Sequence, residues 1–477
     1  MDKKELKAQL MKLPGVDTVL SHSAVRKQIG DTGIELVTFV ARAVIEDTRQ
    51  EILQNGRPAN YKSEALEEIV KRIEETILLM TRSRLKAVVN ATGVVIHTNL
   101  GRAPLGKKVL DDIAEAMIGY SNLEYDLKTQ DRGHRSDHIV PLITYLSKAE
   151  DALVVNNNAA GIMLALSTFA KGKEVIISRG ELVEIGGSFR IPEILAASGA
   201  FMVEVGTTNK TKPADYTRAI TPNTAMVMKV HRSNFDIVGF TEEVKVQDLA
   251  ELSHQHGLPF LYDIGSGLIR KPKNLPLENE PDVESAVEDG ADLVAFSADK
   301  LLGGPQAGIV VGTKELISAM RTAPMMRALR VDKLTLTALA SVVRSYITDR
   351  TLRENVPLFS MLEQTDDVLR RRADALSGRL NDFHVPSDVV RSAARCGGGT
   401  LPRVEIPSFA VRLVSGKNSQ KESSAFAERI FTALHRRERP IIAILRQGEI
   451  LFDVFTLLDS DLFYIAETIS HILKEET

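Results

Sequence analysis

The segment Ser297-Ala298-Asp299-Lys300-Leu301-Leu302-Gly303-Gly304-Pro305-Gln306-Ala307-Gly308 holds the residue with the clearest chemical potential in the chain. Lys300 follows an apolar run, Leu293–Phe296, that reads as a buried strand, and it precedes a glycine-rich turn. In parallel α/β sheets, ligands sit at the ends of strands. A lysine there can form a Schiff base with an aldehyde, provided its amine is partly desolvated. A solvated loop lysine is the plainer reading. Gly303 and Gly304 weigh mildly against it, because they let backbone approach a ligand.

Two more stretches have the same form. Asp263 ends an apolar run in Leu261-Tyr262-Asp263-Ile264-Gly265-Ser266-Gly267. A carboxylate facing a pyridine nitrogen keeps that nitrogen protonated, and the ring then accepts electrons from a carbanion. Taken alone, Asp263 is better read as a helix N-cap. In Val155-Asn156-Asn157-Asn158-Ala159-Ala160-Gly161 a strand runs into small residues that open a helix. Free backbone amides around Asn157, Ala159 and Ala160 would bind a phosphate, and Ser297 could add a hydroxyl. An ordinary strand-to-helix turn explains that stretch equally well by itself. The order decides: phosphate cup, pyridine carboxylate and Schiff-base lysine, each after a strand. That is the arrangement of fold-type I pyridoxal-phosphate enzymes, and the agreement outweighs the separate plain readings.

The elements that must position these residues come next. With 477 residues, the chain is too long for one ordinary core and predicts two or three domains. Residues 1–80 read as helical. One helix runs from Gly33 or Ile34 to about Leu53, ending near Asn55-Gly56, and Arg57-Pro58 breaks the chain after it. Leu66, Ile69, Val70, Ile73 and Ile77 make the apolar stripe of another, with Ser63 as N-cap and Glu64 in its first turn. From about residue 81 to 349, apolar runs alternate with helical stretches: Ala152–Val155, Glu174–Ile177, Phe201–Val205, Ala225–Val230, Phe260–Tyr262, Leu293–Phe296 and Gly308–Val311. Runs without polar alternation fit strands covered on both faces, hence a mostly parallel sheet in an α/β domain. A helix over Leu334–Thr348 closes this domain. Residues 350–477 read as a smaller α/β domain, with a strand at Ser408–Leu413, a helix at Gln420–His435, and a hairpin turning at Gln447-Gly448 between Ile441–Leu445 and Ile450–Val454.

Composition limits the partners. An apolar fraction of 44% with 26% charged residues is that of a globular protein, not a disordered one. A net charge of -3 predicts no nucleic-acid partner from bulk charge, so any polyanion needs a local patch. Residues 1–86 carry 15 Lys and Arg against 13 Asp and Glu, only faint support for RNA binding there. The single cysteine, Cys396, excludes an internal disulfide and fits a reducing cytoplasm. The start, MDKKELKAQLMKLPG, lacks a signal-peptide run, and no stretch has the length of a membrane span. A cytoplasmic protein, with no membrane and no metal partner, is expected. His97, His134 and His138 lack metal-site spacing, though His97 could line the active site.

Longer motifs resemble a known family. Val88-Val89-Asn90-Ala91-Thr92-Gly93-Val94-Val95-Ile96-His97-Thr98-Asn99-Leu100-Gly101-Arg102-Ala103-Pro104-Leu105 is similar to the signature of the bacterial selenocysteine synthase family. So are Tyr125-Asp126-Leu127 with Arg132-Gly133, the run Glu181–Ile194, Asp299–Gly308, Arg327-Ala328-Leu329-Arg330-Val331-Asp332-Lys333 and Gly397-Gly398-Gly399-Thr400-Leu401-Pro402. The matches run from about residue 12 to 460. The resemblance implies a fold-type I transferase with pyridoxal 5'-phosphate on Lys300, and a β-elimination of water from L-seryl-tRNA(Sec) followed by addition of selenium from selenophosphate. It also implies a homodecamer built as a pentamer of dimers, and a helical N-terminal tRNA-binding domain. By this match Arg102, Arg327 and Arg330 form the anion site for the selenium donor, and Asp299 adjoins the lysine. Guanidinium groups suit such an oxyanion, and Arg327 and Arg330, three apart, would share one helix face; without the resemblance they read as surface arginines. Two positions depart from the family pattern: Arg232 replaces a small hydroxyl residue, and Phe455 stands where arginine is frequent. Cys396, beside three glycines, reads as a small packed residue outside the site.

Two other readings compete. A pyridoxal-phosphate lyase acting on a small amino acid or amino-sugar acid would share the catalytic motifs, but has no need of the long helical N-terminus. A non-catalytic RNA-binding protein on a retained enzyme fold would not need Lys300 and Asp263.

Overall fold

The structure is a computed structural model that describes residues 10, 11, 13–55, 65–186, 189–416 and 419–475. The expected features at Gly56, Arg57-Pro58, Ser63 and Glu64, and Gly187-Ser188 within the Glu181–Ile194 run, lie outside the described residues. The chain divides into two compact units, residues 1–87 and 88–477.

The first unit contains the helices Val16–Leu20, Ser23–Thr32, Ile34–Asn55 and Ala65–Thr81. Val37, Val40, Ala41 and Val44 on one long helix meet Ile69, Val70, Ile73 and Ile77 on the other. These positions recur at helical spacing, so each helix presents one apolar stripe. Val19 and Val25 from the short helices complete the core. Arg72 bridges the two long helices, donating to Glu51 at 2.9 and 3.0 Å and to the Thr48 hydroxyl at 3.0 Å.

The second unit is built on a seven-stranded sheet. Its strands are β1 (Asp151–Val155), β2 (Glu174–Ser178), β3 (Phe201–Val205), β4 (Thr224–Val230), β5 (Phe260–Ile264), β6 (Leu293–Ser297) and β7 (Gly308–Gly312). The spatial order is β1-β7-β6-β5-β4-β2-β3. All neighbours run parallel except at β7, which is antiparallel to both β1 and β6. The α/β class with a mostly parallel sheet is therefore observed. The lack of polar alternation has a direct cause: successive residues feed opposite apolar layers. Val154, Ile176, Val227 and Phe296 pack on one side, and Leu153, Val175, Met226 and Ala295 on the other.

The C-terminal part carries a four-stranded antiparallel sheet in the order Ser387–Gly397, Thr400–Leu413, Glu449–Asp453, Ile444–Arg446. Gln447 and Gly448 both have positive φ, 53° and 78°, which a two-residue hairpin turn requires. The helix Gln420–His435 has the bounds read from sequence, whereas the helix expected over Leu334–Thr348 spans Lys333–Ser345. The strand Ser387–Gly397 is an addition to the sequence reading, and the strand expected at Ser408–Leu413 begins eight residues earlier, at Thr400. Val89–Asn90 pairs in parallel with Ile441–Ile442, so the residues that open the long signature are anchored on this C-terminal part.

Candidate functional site

The loop after β6 places Lys300 at the centre of a cavity of about 190 Å³, together with Asp263, Asn157, Ala159, Ser297, Asp299 and Arg102. Lys300 is 4% exposed, and among the described residues its Nζ has no hydrogen-bond or ion-pair partner. Burial draws its pKa below the ordinary amine value, with the Asp263 charge opposing and the Arg102 charge assisting. Burial and the Arg102 charge favour a neutral, nucleophilic amine. Gly399, with φ +75°, lies against the lysine: a Cβ there would sit 3.8 Å from Nζ. Any side chain at Gly399 would be strained by its left-handed backbone.

Asp263 lies inside β5, next to β6 in the sheet, and is not a helix cap. Its Oδ1 accepts a hydrogen bond from Asn158 Nδ2 at 2.7 Å. Burial pushes its pKa up to about 6, while the Asn158 hydrogen bond and the Lys300 charge pull the other way. A buried carboxylate with one weakly occupied face is ready for a cationic partner. At the end of β1, Asn157 caps the helix Asn158–Phe169, its Oδ1 accepting from the Ala160 N–H at 2.9 Å. The amides of Asn158 and Ala159 have no acceptor among the described residues, so the cap leaves two backbone donors free at this turn. Ala160 supplies its amide to the cap and does not line the cavity.

Asp299 and Arg102 form an ion pair of 2.5 Å, and the Asp299 carbonyl accepts from the Ala103 N–H at 3.2 Å. Arg102 has a left-handed backbone, φ 64°, and its N–H donates to the His97 carbonyl at 3.1 Å. His97 therefore braces Arg102 and does not line the lysine cavity. Gly303 and Gly304 also differ from expectation. They face Val356, Leu339 and Ala298, so they serve close packing and not approach to a ligand.

Arg327 and Arg330 line a different cavity, of about 460 Å³, with Glu124, Arg132 and Arg135. The helix there covers only Met326–Leu329; Arg330 is extended and bridges to Val155. The two arginines thus share a cavity without sharing a helix face. The two cavities flank the same strand end, where the Asn156 N–H donates to the Leu329 carbonyl at 3.0 Å. Arg102 belongs to the lysine cavity, apart from the other two arginines.

Cys396 is fully buried, and burial pushes its thiol up to about 12, which keeps it protonated and inert. Phe455 is a core residue whose N–H donates to Asp453 Oδ1 at 2.9 Å. Arg232 pairs with Glu243 at 3.0 Å beside His231. Sequence reasoning passed over Asn158 and Glu124. Asn158 stood inside a motif already singled out, but its bond to Asp263 spans 105 residues. Nothing local marks Glu124.

A family model described as L-seryl-tRNA selenium transferase matches residues 88–458. The L-seryl-tRNA(Sec) selenium transferase of Aquifex aeolicus is 46% identical over 440 residues, covering 92% of this chain and 94% of its own length. That of Clostridium botulinum (strain Okra / Type B1) is 42% identical over 480 residues, covering 99% and 100%. Among solved structures, D-glucosaminate-6-phosphate ammonia-lyase matches with a TM-score of 0.57 at 21% identity, over 82% of this chain and 96% of that one. This last likeness bears on the fold alone.

Proposed function

The chain belongs to the L-seryl-tRNA selenium transferase family, and from that premise we infer that it converts L-seryl-tRNA(Sec) to L-selenocysteinyl-tRNA(Sec) with pyridoxal 5'-phosphate as cofactor. The observation that carries the chemistry is the buried, unpartnered Lys300 amine in one cavity with Asp263 and the free amides of the Asn157 turn. These residues fit the cofactor. Lys300 would hold its aldehyde carbon, Asp263 would face the ring nitrogen, and the Asn158 and Ala159 amides with the Ser297 hydroxyl would take the phosphate. When bound, pyridoxal phosphate supplies an electron sink that makes the α-proton of the seryl group acidic.

The remaining steps belong to the chain's own residues. Lys300, with its lowered pKa, is the base that moves the α-proton and later returns it. Asp263 holds the charge that keeps the ring nitrogen protonated. Asp299 fixes Arg102 at the cavity edge. Arg327 and Arg330 would bind the selenium donor, selenophosphate, as a multiply charged oxyanion. The tRNA would be held largely by residues 1–80, a helical domain ahead of a catalytic domain over 81–349 and a small domain over 350–477. The setting is the cytoplasm and the assembly a homodecamer. Among the described residues no helix is long and apolar enough to cross a membrane.

A test of the elimination half uses seryl-tRNA(Sec) labelled in the serine, with the donor omitted. Alkaline hydrolysis should release labelled pyruvate, the product expected once the β-hydroxyl has left. Recovery of serine alone would contradict the reading.

A further inference from the structure

Glu124 is the one carboxylate among the described residues that line the arginine cavity. It contacts three of the guanidinium groups there. Its Oε1 accepts from Arg135 Nε in a short ion pair, its Oε2 lies 3.3 Å from Arg132, and Arg330 Nη1 is 3.6 Å away. Arg327 has no carboxylate within ion-pair distance among the described residues. The Glu124 backbone is anchored, because its carbonyl accepts from the Gly133 N–H at 3.1 Å beside the short ladder of Tyr125–Asp126 with Asp131–Arg132. Its side chain is 30% exposed.

A carboxylate that reaches three guanidinium groups occupies the place where a tetrahedral oxyanion would collect the same donors. We propose that Glu124 is a built-in competing anion of the donor site: it is displaced when the oxyanion binds and re-forms its ion pairs as phosphate leaves. This rests on the reading of Arg327 and Arg330 as the oxyanion site. The chemistry calls for such a device. Transfer of selenium from selenophosphate, with water supplying the oxygen that replaces it, leaves inorganic phosphate among the same arginines. Several uncompensated guanidinium groups would retain that phosphate and slow the next cycle. An internal carboxylate lowers the affinity for every anion in turn and so favours release.

The test is calorimetric titration of the holoenzyme with inorganic phosphate, for wild type, Glu124→Gln, Glu124→Ala, Arg327→Ala and Arg330→Ala. Loss of one competing charge should tighten phosphate binding by roughly tenfold or more in both Glu124 variants. Steady-state turnover should become more sensitive to added phosphate in Glu124→Gln than in wild type. A role in merely positioning the arginines gives the opposite sign, with weaker phosphate binding. Unchanged or weaker binding in both Glu124 variants, with binding still lost in Arg330→Ala, overturns the inference and leaves the arginine site standing. Phosphate binding unaffected in both arginine variants overturns the site and the inference together.

Discussion

Replacing Asp263 with Asn separates what this carboxylate costs the fold from what it does for the chemistry. In the cofactor-free protein, burial raises its pKa from 3.8 to about 6. The folded state therefore holds the proton more tightly than the unfolded state. Stability is greatest below the ordinary aspartate value, falls as pH rises from about 4 through about 6, and then levels off. A shift of roughly two units corresponds to about 3 kcal/mol of lost stability above that window. Asparagine carries no charge to desolvate, and its side-chain oxygen can still accept the Asn158 hydrogen bond. Cofactor-free Asp263→Asn should thus be the more stable protein at pH 7.5, by up to about 3 kcal/mol, with the advantage shrinking towards pH 4.5. The reloaded variant should lose about a hundredfold or more in turnover, the scale of removing one preorganised charge partner from a dry site. Denaturant unfolding of both cofactor-free proteins at the two pH values measures the first effect. A wild type more stable than the variant at pH 7.5, or a difference independent of pH, would refute the reasoning.

Three further outcomes are expected. Borohydride reduction should fix the cofactor on Lys300 as shown by peptide mapping, and Lys300→Ala should abolish turnover; a label on another lysine removes the assignment. Arg330→Ala or Arg327→Ala should keep the cofactor spectrum but impair selenium incorporation by roughly 1.5–3 kcal/mol, leaving pyruvate release from seryl-tRNA less affected; an equal fall in both steps makes the arginines structural. Removal of residues 1–87, a unit with its own apolar core, should leave the cofactor site intact while salt-sensitive binding of the charged tRNA is lost. A truncated protein that binds as tightly as the intact one moves the RNA site elsewhere.

The legible parts of the fold were those where local pattern and tertiary environment agree. The strands of the large sheet are apolar on both faces, so they stand out as runs, and Lys300, Asp263 and Asn157 could be placed at their ends. The strand Ser387–Gly397 gave no such signal: Asp388, Arg391 and Arg395 break any apolar run, because much of this strand is open to solvent. Pro402 and Pro407 hid the first half of its partner. That half pairs with Ser387–Gly397 alone, while Glu449–Asp453 reaches only Ala410–Arg412, so the prolines remove no ladder bond on the open side. The antiparallel β7 was hidden for another reason, since an apolar run carries no direction. At the site, residue types were readable but contacts were not. The bond from Asn158 to Asp263, the ion pair of Glu124 with Arg330 and the packing of Gly303 against Val356 all join distant segments. Arg330 shows the limit of spacing arguments: three residues after Arg327, it lies past the end of a four-residue helix.

The central claim is that the Lys300 cavity exchanges the β-hydroxyl of a tRNA-borne seryl group for selenium. Its most direct measurement is incubation of the purified holoenzyme with seryl-tRNA(Sec) radiolabelled in the serine and with selenophosphate, followed by deacylation and separation of the amino acids. The account predicts labelled selenocysteine from wild type, and labelled serine alone from Lys300→Ala under the same conditions. Labelled serine alone from a wild-type protein with full cofactor occupancy would contradict it.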